Sequence, residues 1–258
     1  MPVAVAAPAV GESAQMINGL LNLGRFVGSD EEAFVALMDS ISRLEKADPA
    51  DAAVQRAWAY HLTGDVDRAL AELESPHLLH HSSMKSIHRL MLLTNLVESG
   101  KLFREYAKLG APETGNFSQL FPAGIVSGSF SKVAQFSARA NGMKIKNVEG
   151  LPVQEITAAA AILAKNGVTD DAVSGLLSIA GELIREQGVF YNDTAPTVHP
   201  FQDESDDGGS VYVRFRLPIS PTKATELGLM FVERVDERGL NLPDCLHIGF
   251  SGTSKICH

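Results

Sequence analysis

Apolar residues recur at helical spacing through most of the first 140 positions of the chain. Residues 1–13 are expected to form a flexible tail, and Ala14–Val27 is a predicted helix. Glu31–Glu45 then carries one apolar face with members three and four positions apart, as an amphipathic helix does: Phe34, Leu37, Met38, Ile41 and Leu44. This pattern predicts an N-terminal part that is built from helices.

The stretch Ala52–Leu73 has the pattern of two short helices that are joined by a tight turn. Its apolar residues keep helical spacing on both sides of Thr63-Gly64-Asp65. Glycine accepts the positive φ at a helix C-terminus, and the side chain of Asp65 is suited to cap the next helix. Pro76 ends the second helix, because proline lacks an amide hydrogen and clashes with the preceding turn. The stretch is therefore a predicted helical hairpin.

This hairpin resembles one tetratricopeptide-type repeat. Five residues stand where that family places its small, aromatic, turn-glycine, small and large apolar residues: Ala57, Tyr60, Gly64, Ala69 and Leu73. Ala53, Arg56 and Pro76 depart from the family pattern, and an ordinary helical hairpin is the alternative. The resemblance covers about a tenth of the chain. It implies stacked hairpins that present a concave surface to a protein partner.

Two later stretches repeat the outline of this hairpin less closely. Leu90–Leu109 breaks at Ser99-Gly100, and Phe121–Ala140 breaks at Ser127-Gly128. The turn glycines Gly64, Gly100 and Gly128 are thus 36 and 28 residues apart, which is less regular than a true solenoid. We predict a solenoid-like stack of divergent helical hairpins over residues 14–146.

The pattern changes after residue 146, where composition and charge change as well. Two helices are predicted over Val153–Lys165 and Ala172–Glu186, followed by an irregular or edge strand that ends at Phe201. Ser210–Leu217 alternates apolar and polar residues and is the clearest strand in the chain.

A helix that begins at Pro221 and ends at Arg238, and a strand over Cys245–Phe250, complete the order of elements. Residues 147–258 are therefore predicted to form a small α+β domain with an about three-stranded sheet, whose helices cover one face. The fold class predicted for the whole chain is α+β.

The charge of the chain is unevenly distributed. The net charge is −9, yet residues 77–146 hold 9 basic and only 3 acidic side chains between two acidic flanks. A basic middle is suited to an acidic partner, to nucleic acid or to the acidic parts of its own chain. A solvated surface is the alternative reading.

The composition of the chain is that of a globular protein and not of a membrane-spanning or disulfide-rich one. The chain is 45% hydrophobic and 21% charged, as globular proteins are, and no apolar run approaches the ~20 residues that span a bilayer. The two cysteines, Cys245 and Cys257, form no disulfide framework and fit a reducing compartment. We expect a cytoplasmic protein without a membrane partner, and the Ala- and Gly-rich composition suggests a bacterial source.

No motif in the chain indicates catalysis, a cofactor or a metal. Four histidines cluster between the first two hairpins, but a proline and two serines interrupt the helix that would align them as metal ligands: His77, His80, His81 and His88. The acidic loop Asp203–Gly209 lacks the ligand spacing of a calcium loop. We predict no catalytic, cofactor or metal site. An enzyme would need distant residues brought together: His199, His247, Asp193 and Asp203.

The residues best suited to partner binding are basic or aromatic. Tyr212, Arg214 and Arg216 alternate with apolar residues on the clearest strand, so they share one face of the sheet. An aromatic beside two arginines can stack on and pair with nucleic acid or an acidic peptide. The alternative is that the two arginines pair with acidic residues of the next helix or the acidic loop. The full predicted set is Tyr60, Lys85, Arg89, Lys101, Arg104, Tyr212, Arg214 and Arg216.

These observations favour a non-enzymatic adaptor, chaperone or toxin-neutralising protein that binds a protein partner through the helical surface. The alternative is a nucleic-acid-associated protein that uses residues 85–146 and the Arg214/Arg216 face. Either protein is expected to act without a cofactor. Self-association of the chain is left open.

Overall fold

The computed structural model describes residues 11–109, 117–142, 151–191, 195–202 and 209–252. The fold is α+β, as predicted, with helices followed by a three-stranded sheet. Within the described residues the helices are α1 Glu12–Leu21, α2 Glu32–Glu45, α3 Pro49–Leu62, α4 Val66–Leu73, α5 Ser82–Asn95, α6 Ser99–Ala107, α7 Phe117–Val126, α8 Phe130–Gly142, α9 Val153–Lys165, α10 Asp170–Glu186 and α11 Pro221–Glu237. The strands are β1 Thr197–Phe201, β2 Ser210–Leu217 and β3 Leu246–Gly252.

Contacts divide the chain into two compact units. The first unit comprises Met1–Leu96 with Gly188–Thr194, and the second comprises Val97–Gln187 with Ala195–His258. The predicted boundary at residues 146 and 147 lies outside the described residues. The two helices of the second predicted hairpin, Leu90–Leu109, belong to different units, α5 to the first and α6 to the second.

The first unit is a set of helices that pack around α3. The predicted hairpin over Ala52–Leu73 is present as α3 and α4, joined at Gly64 with a φ of 77°. The carboxylate of Asp65 accepts a hydrogen bond from the Arg68 amide and so caps α4, as expected. Ala57 and Ala69 are fully buried, which lets the two helices approach closely.

Three rings of the first unit, from Trp58, His61 and His88, meet inside this core. The indole Nε1 of Trp58 donates a hydrogen bond to Nδ1 of His88 at 3.2 Å. His61 packs edge-on against both Trp58 and Phe190, and neither of its ring nitrogens has a hydrogen-bond partner among the described residues. Because burial disfavours a charged imidazole, the pKa of His61 is lowered to about 3.

Because the imidazole of His61 is buried uncharged, we expect the folded protein to lose stability in acid. Between pH 6.5 and pH 3 the unfolded chain protonates His61 while the folded chain does not, so stability falls as pH falls, by about 1.4 kcal/mol per pH unit. We expect His61→Leu to remove this contribution and to leave stability at pH 7 undiminished, because the two unpartnered nitrogens are gone. Urea unfolding at pH 7, 6 and 5 checks both statements. A difference between the two proteins that does not change with pH would contradict them.

The helices of the second unit form their own core. The third predicted hairpin is present as α7 and α8, with Gly128 between them at a φ of 76°. Phe121, Phe130 and Phe136 are all buried there. These three aromatic side chains are therefore part of the core and do not offer a stacking surface.

The sheet of the second unit follows the predicted order of helix, helix, strand, strand, helix, strand. β1 is antiparallel to β2 and β3 is parallel to β2, so β2 lies in the centre and α11 is the crossover helix. α9 packs on β1 and β2, and α11 packs on β3. The apolar residues of β2 are buried against these helices: Val211, Val213, Phe215 and Leu217.

No helix among the described residues combines the length and the apolar character that crossing a bilayer requires.

Candidate binding surface on the open sheet face

The alternation along the three strands leaves the outward side chains on one side of the sheet exposed or half-buried in the described part of the chain. On β2 the buried and exposed residues alternate without interruption from Val211 to Leu217. On β1 and β3 the strand register places the outward residues in rows with those of β2. We call this surface the open sheet face; its members are Thr197, His199, Phe201, Tyr212, Arg214, Arg216 and His247.

Aromatic rings form a row across the open sheet face. Tyr212 lies opposite His199 on one side and opposite His247 on the other. The rings of Tyr212 and His247 stack, with centroids 4.4 Å apart and planes at 24°, and the ring of Phe201 meets Tyr212 edge-on at 6.3 Å. Phe201 is 66% exposed and Tyr212 is 42% exposed. These two exposed rings therefore offer surface on which a flat ligand can stack.

Two arginines extend this row along the central strand. Arg214 and Arg216 follow Tyr212 at two-residue steps of about 7 Å each, and both side chains are exposed. Neither forms an ion pair with any residue that the structure describes. The alternative of pairing with acidic residues of α11 is thus not realised, and Asp203–Asp207 of the acidic loop lie outside the described residues. No outward position of the three strands is acidic.

The predicted partner-binding residues of the first unit contact neighbours in that unit. Lys85 and Arg89 both form an ion pair with Glu74, at 3.3 Å for Arg89. The guanidinium of Arg68 lies over the ring of Tyr60 at 5.7 Å from its centroid. These three predicted residues are partly buried, so less of their surface is free than for the residues of the open sheet face.

The other two predicted residues, Lys101 and Arg104, lie together in the first turns of α6. They line a cavity of the second unit with residues of α10. Lys132 lies in residues 85–146, which we call the basic segment. Its ammonium group donates hydrogen bonds to the carbonyl oxygens of Tyr106 and Ala107 at 2.8 and 2.7 Å. Lys132 therefore has a structural role, because it caps the C-terminal end of α6.

The histidine cluster is dispersed in the fold. His77, His80 and His81 are exposed around the start of α5, whereas His88 is buried against Trp58. No group of three or more histidine, cysteine or acidic residues with metal-binding geometry occurs in the part of the chain that is described. Of the residues considered for an enzyme, His199 and His247 flank Tyr212, and Asp193 and Asp203 lie outside the described residues.

The sequence predicted Tyr212, Arg214 and Arg216 as partner-binding residues, but it did not predict the ring surface beside them. Phe201, His199 and His247 join the site through strand pairing alone. For His247 the sequence did carry a signal. His247 stands between the apolar residues Leu246 and Ile248, and this alternation places its side chain on the outward side of β3.

Comparison of the chain with models of protein families, with curated proteins and with solved structures found no match.

Proposed function

We propose that the open sheet face binds single-stranded nucleic acid. The observation that carries the proposal is the pair of exposed arginines, without ion pairs to any described residue, next to the exposed rings of Tyr212 and Phe201. Bases stack on aromatic rings, and guanidinium groups pair with phosphate oxygens in a planar, bidentate geometry. The sheet presents aromatic rings next to guanidinium groups, and this arrangement matches the bases and phosphates that alternate along a single strand of nucleic acid.

Nucleic acid fits this surface better than an acidic peptide does. A peptide rich in carboxylates would use Arg214 and Arg216 but would leave the rings of Phe201, Tyr212 and His247 without a partner. Phe201 and Tyr212 are neighbouring exposed rings, and grouped exposed apolar residues often mark binding sites. A base can cover these rings with its π-face, and single-stranded nucleic acid offers unpaired bases for this. A duplex does not, because its bases are stacked on each other.

The net charge of −9 shapes the expected binding. A protein with this charge gains little from long-range attraction to a polyanion. The free energy of binding is therefore expected from base stacking and from two local phosphate contacts, and the affinity is expected to depend only moderately on salt.

The adaptor function stays a prediction, as do the tetratricopeptide resemblance, a bacterial source and a cytoplasmic location. For the adaptor, Tyr60, Lys85 and Arg89 lie next to one another in the first unit, but each has an intramolecular contact that a partner would have to replace or share. Arg214 and Arg216 of the open sheet face form no ion pair with a described residue that a ligand would have to replace, and for this reason we favour that face.

The arginine pair can be tested through the salt dependence of binding. For a single strand, each phosphate contact contributes about 0.7 to the slope of log K against log salt. We expect Arg214→Gln with Arg216→Gln to make that slope shallower by about 1.4 and to weaken binding at low salt. Fluorescence anisotropy of a labelled single-stranded oligonucleotide, titrated at several salt concentrations, measures both quantities.

A matched control removes two charges from the basic segment instead. Lys108 and Arg139 are exposed residues of the second unit, outside the sheet. Lys108→Gln with Arg139→Gln is expected to leave the salt slope unchanged. If this control variant loses the binding and the Arg214/Arg216 variant keeps it, the basic segment is the site. If an acidic peptide binds and the oligonucleotide does not, the ligand class is wrong.

A further inference from the structure

A short segment between α10 and β1 packs in the first unit, although both of these elements belong to the second. We call Gly188–Tyr191 the strap. Its three side chains, those of Val189, Phe190 and Tyr191, are all buried. Connecting segments usually run over the surface of a protein, so a buried one is held in place by specific contacts.

In the described part of the chain, the backbone of the strap is held beside Gly24 and Arg25. The amide of Phe190 donates a hydrogen bond to the carbonyl oxygen of Gly24 at 3.1 Å, and Val189 forms an isolated antiparallel bridge with Arg25. The strap is not part of any described helix or strand. A segment with so little backbone pairing opens at a lower free-energy cost than the helices that surround it.

The ring of Phe190 fixes the strap in the aromatic cluster of the first unit. It meets the ring of Phe26 edge-on at 5.6 Å and the ring of His61 edge-on at 5.0 Å. His61 in turn packs edge-on against Trp58 at 5.2 Å and is fully buried. Phe190 therefore helps to keep water from the imidazole of His61, and water reaches this imidazole when Phe190 leaves.

His61 makes this contact sensitive to protons. Both nitrogens of its ring lack a hydrogen-bond partner among the described residues, whereas Nδ1 of His88 accepts a hydrogen bond from Trp58. An imidazolium has two N–H donors and a charge, which need water or an anion. Because burial lowers the pKa of His61 to about 3, the closed strap keeps this histidine neutral at a pH where an exposed histidine takes up a proton.

Charged groups on the surrounding elements do not offset this effect. Burial is the sole cause of the lowered pKa of His61, and burial likewise lowers the pKa of His88, which also contacts Trp58. The ion pairs of α3 and of the elements around it join other side chains: Arg43 with Glu12, Arg25 with Glu31, Arg56 with Glu45 and Glu72, Arg68 with Asp65, and Lys85 and Arg89 with Glu74. Because no carboxylate raises the pKa of His61, an imidazolium at this position has no counter-ion among the described residues.

We propose that uptake of a proton by His61 releases the strap from the first unit. Phe190 leaves the ring cluster, water reaches both ring nitrogens of His61, and the bridge between Val189 and Arg25 opens while α3 keeps its helical hydrogen bonds. Between about pH 6.5 and pH 3 the open form binds one proton more than the closed form, so opening becomes more favourable as pH falls. The strap and the open sheet face share no residue, so either proposal can fail without the other.

Hydrogen exchange of the full chain at pH 7, 6 and 5 tests this proposal, measured by mass spectrometry and corrected for the pH dependence of the chemical exchange step. We expect the opening constant of the peptide that contains Phe190 to rise about 25-fold between pH 7 and pH 5. That is the effect of one histidine that takes up its proton only in the open form. Peptides of α3 should stay more protected than the strap at each pH, by about tenfold or more, because their exchange requires a larger unfolding.

Two apolar replacements, His61→Leu and His61→Met, should both remove the pH dependence of strap opening, so the test survives if one of them folds poorly. His77→Leu replaces an exposed histidine of the same unit and should respond as wild type does. Strap opening that does not change with pH in wild type, or that changes equally in wild type and the His61 variants, would overturn the proposal. Exchange of α3 together with the strap would overturn it as well, because the whole first unit would then unfold.

Discussion

Replacing Tyr212 with alanine is expected to weaken the binding of a short single-stranded oligonucleotide by about 5- to 150-fold. The range corresponds to the roughly 1–3 kcal/mol that a base loses when its aromatic stacking partner is truncated. Tyr212 lies in the centre of the ring surface, stacked on His247 and edge-on to Phe201. Its loss therefore removes one stacking partner and also disturbs the arrangement of the other two.

Two further variants make this expectation specific. Tyr212→Phe keeps the ring and should bind nearly as wild type does, which separates stacking from a hydrogen bond of the hydroxyl. Leu229→Ala removes an exposed apolar side chain from α11, which packs on the covered side of the sheet, and should bind unchanged. Equal binding by Tyr212→Ala and wild type would show that the oligonucleotide does not use the open sheet face.

Replacing Gly181 with alanine is expected to destabilise the second unit by about 2–3 kcal/mol. A Cβ atom at this position in α10 would lie 2.0 Å from the carbonyl oxygen of Val97. That oxygen belongs to the backbone, so no change of side-chain rotamer relieves the clash and the two segments must move apart. The backbone of Val97 has a φ of 51°, which is rare for a β-branched residue and leaves little freedom to adjust.

The same helix provides a matched control for Gly181. A Cβ atom at Gly175 would meet no atom within 4 Å. Gly175→Ala should therefore stabilise the protein by up to about 1 kcal/mol through helix propensity alone. Urea unfolding of the two variants measures the contrast. If both substitutions shift the free energy of unfolding in the same direction by similar amounts, the close approach of α10 to Val97 is not a feature of the folded protein.

The elements with a simple period were predictable from the sequence. β2 was predicted with its observed bounds, because seven strictly alternating positions from Val211 to Leu217 define both faces of a strand. The hairpin of α3 and α4 was predictable for a similar reason: Gly64 and Asp65 mark the end of one helix and the start of the next.

The features that depend on pairing between distant segments were not predictable in this way. The row of rings exists because β1 and β3 both pair with β2 in one register. β1 begins directly after Pro196, a residue that interrupts the strand pattern in the sequence. The close approach of α10 to the backbone of Val97 joins Gly181 and Val97, two residues 84 positions apart that carry no shared local signal. His61 had the pattern of an ordinary polar residue on a helix, and only packing shows that it is buried.

The most direct test of the proposed function is to find where a bound strand touches the protein. A uridine-rich oligonucleotide of about ten nucleotides, within the range that one single-strand-binding domain covers, is bound to the full chain and crosslinked by ultraviolet light. The crosslinked peptides are then identified by mass spectrometry. We expect crosslinks at Phe201, Tyr212 or His247, which are lost when unlabelled oligonucleotide is added in excess. Crosslinks confined to residues 85–146, or none above the level with competitor, would contradict the proposal.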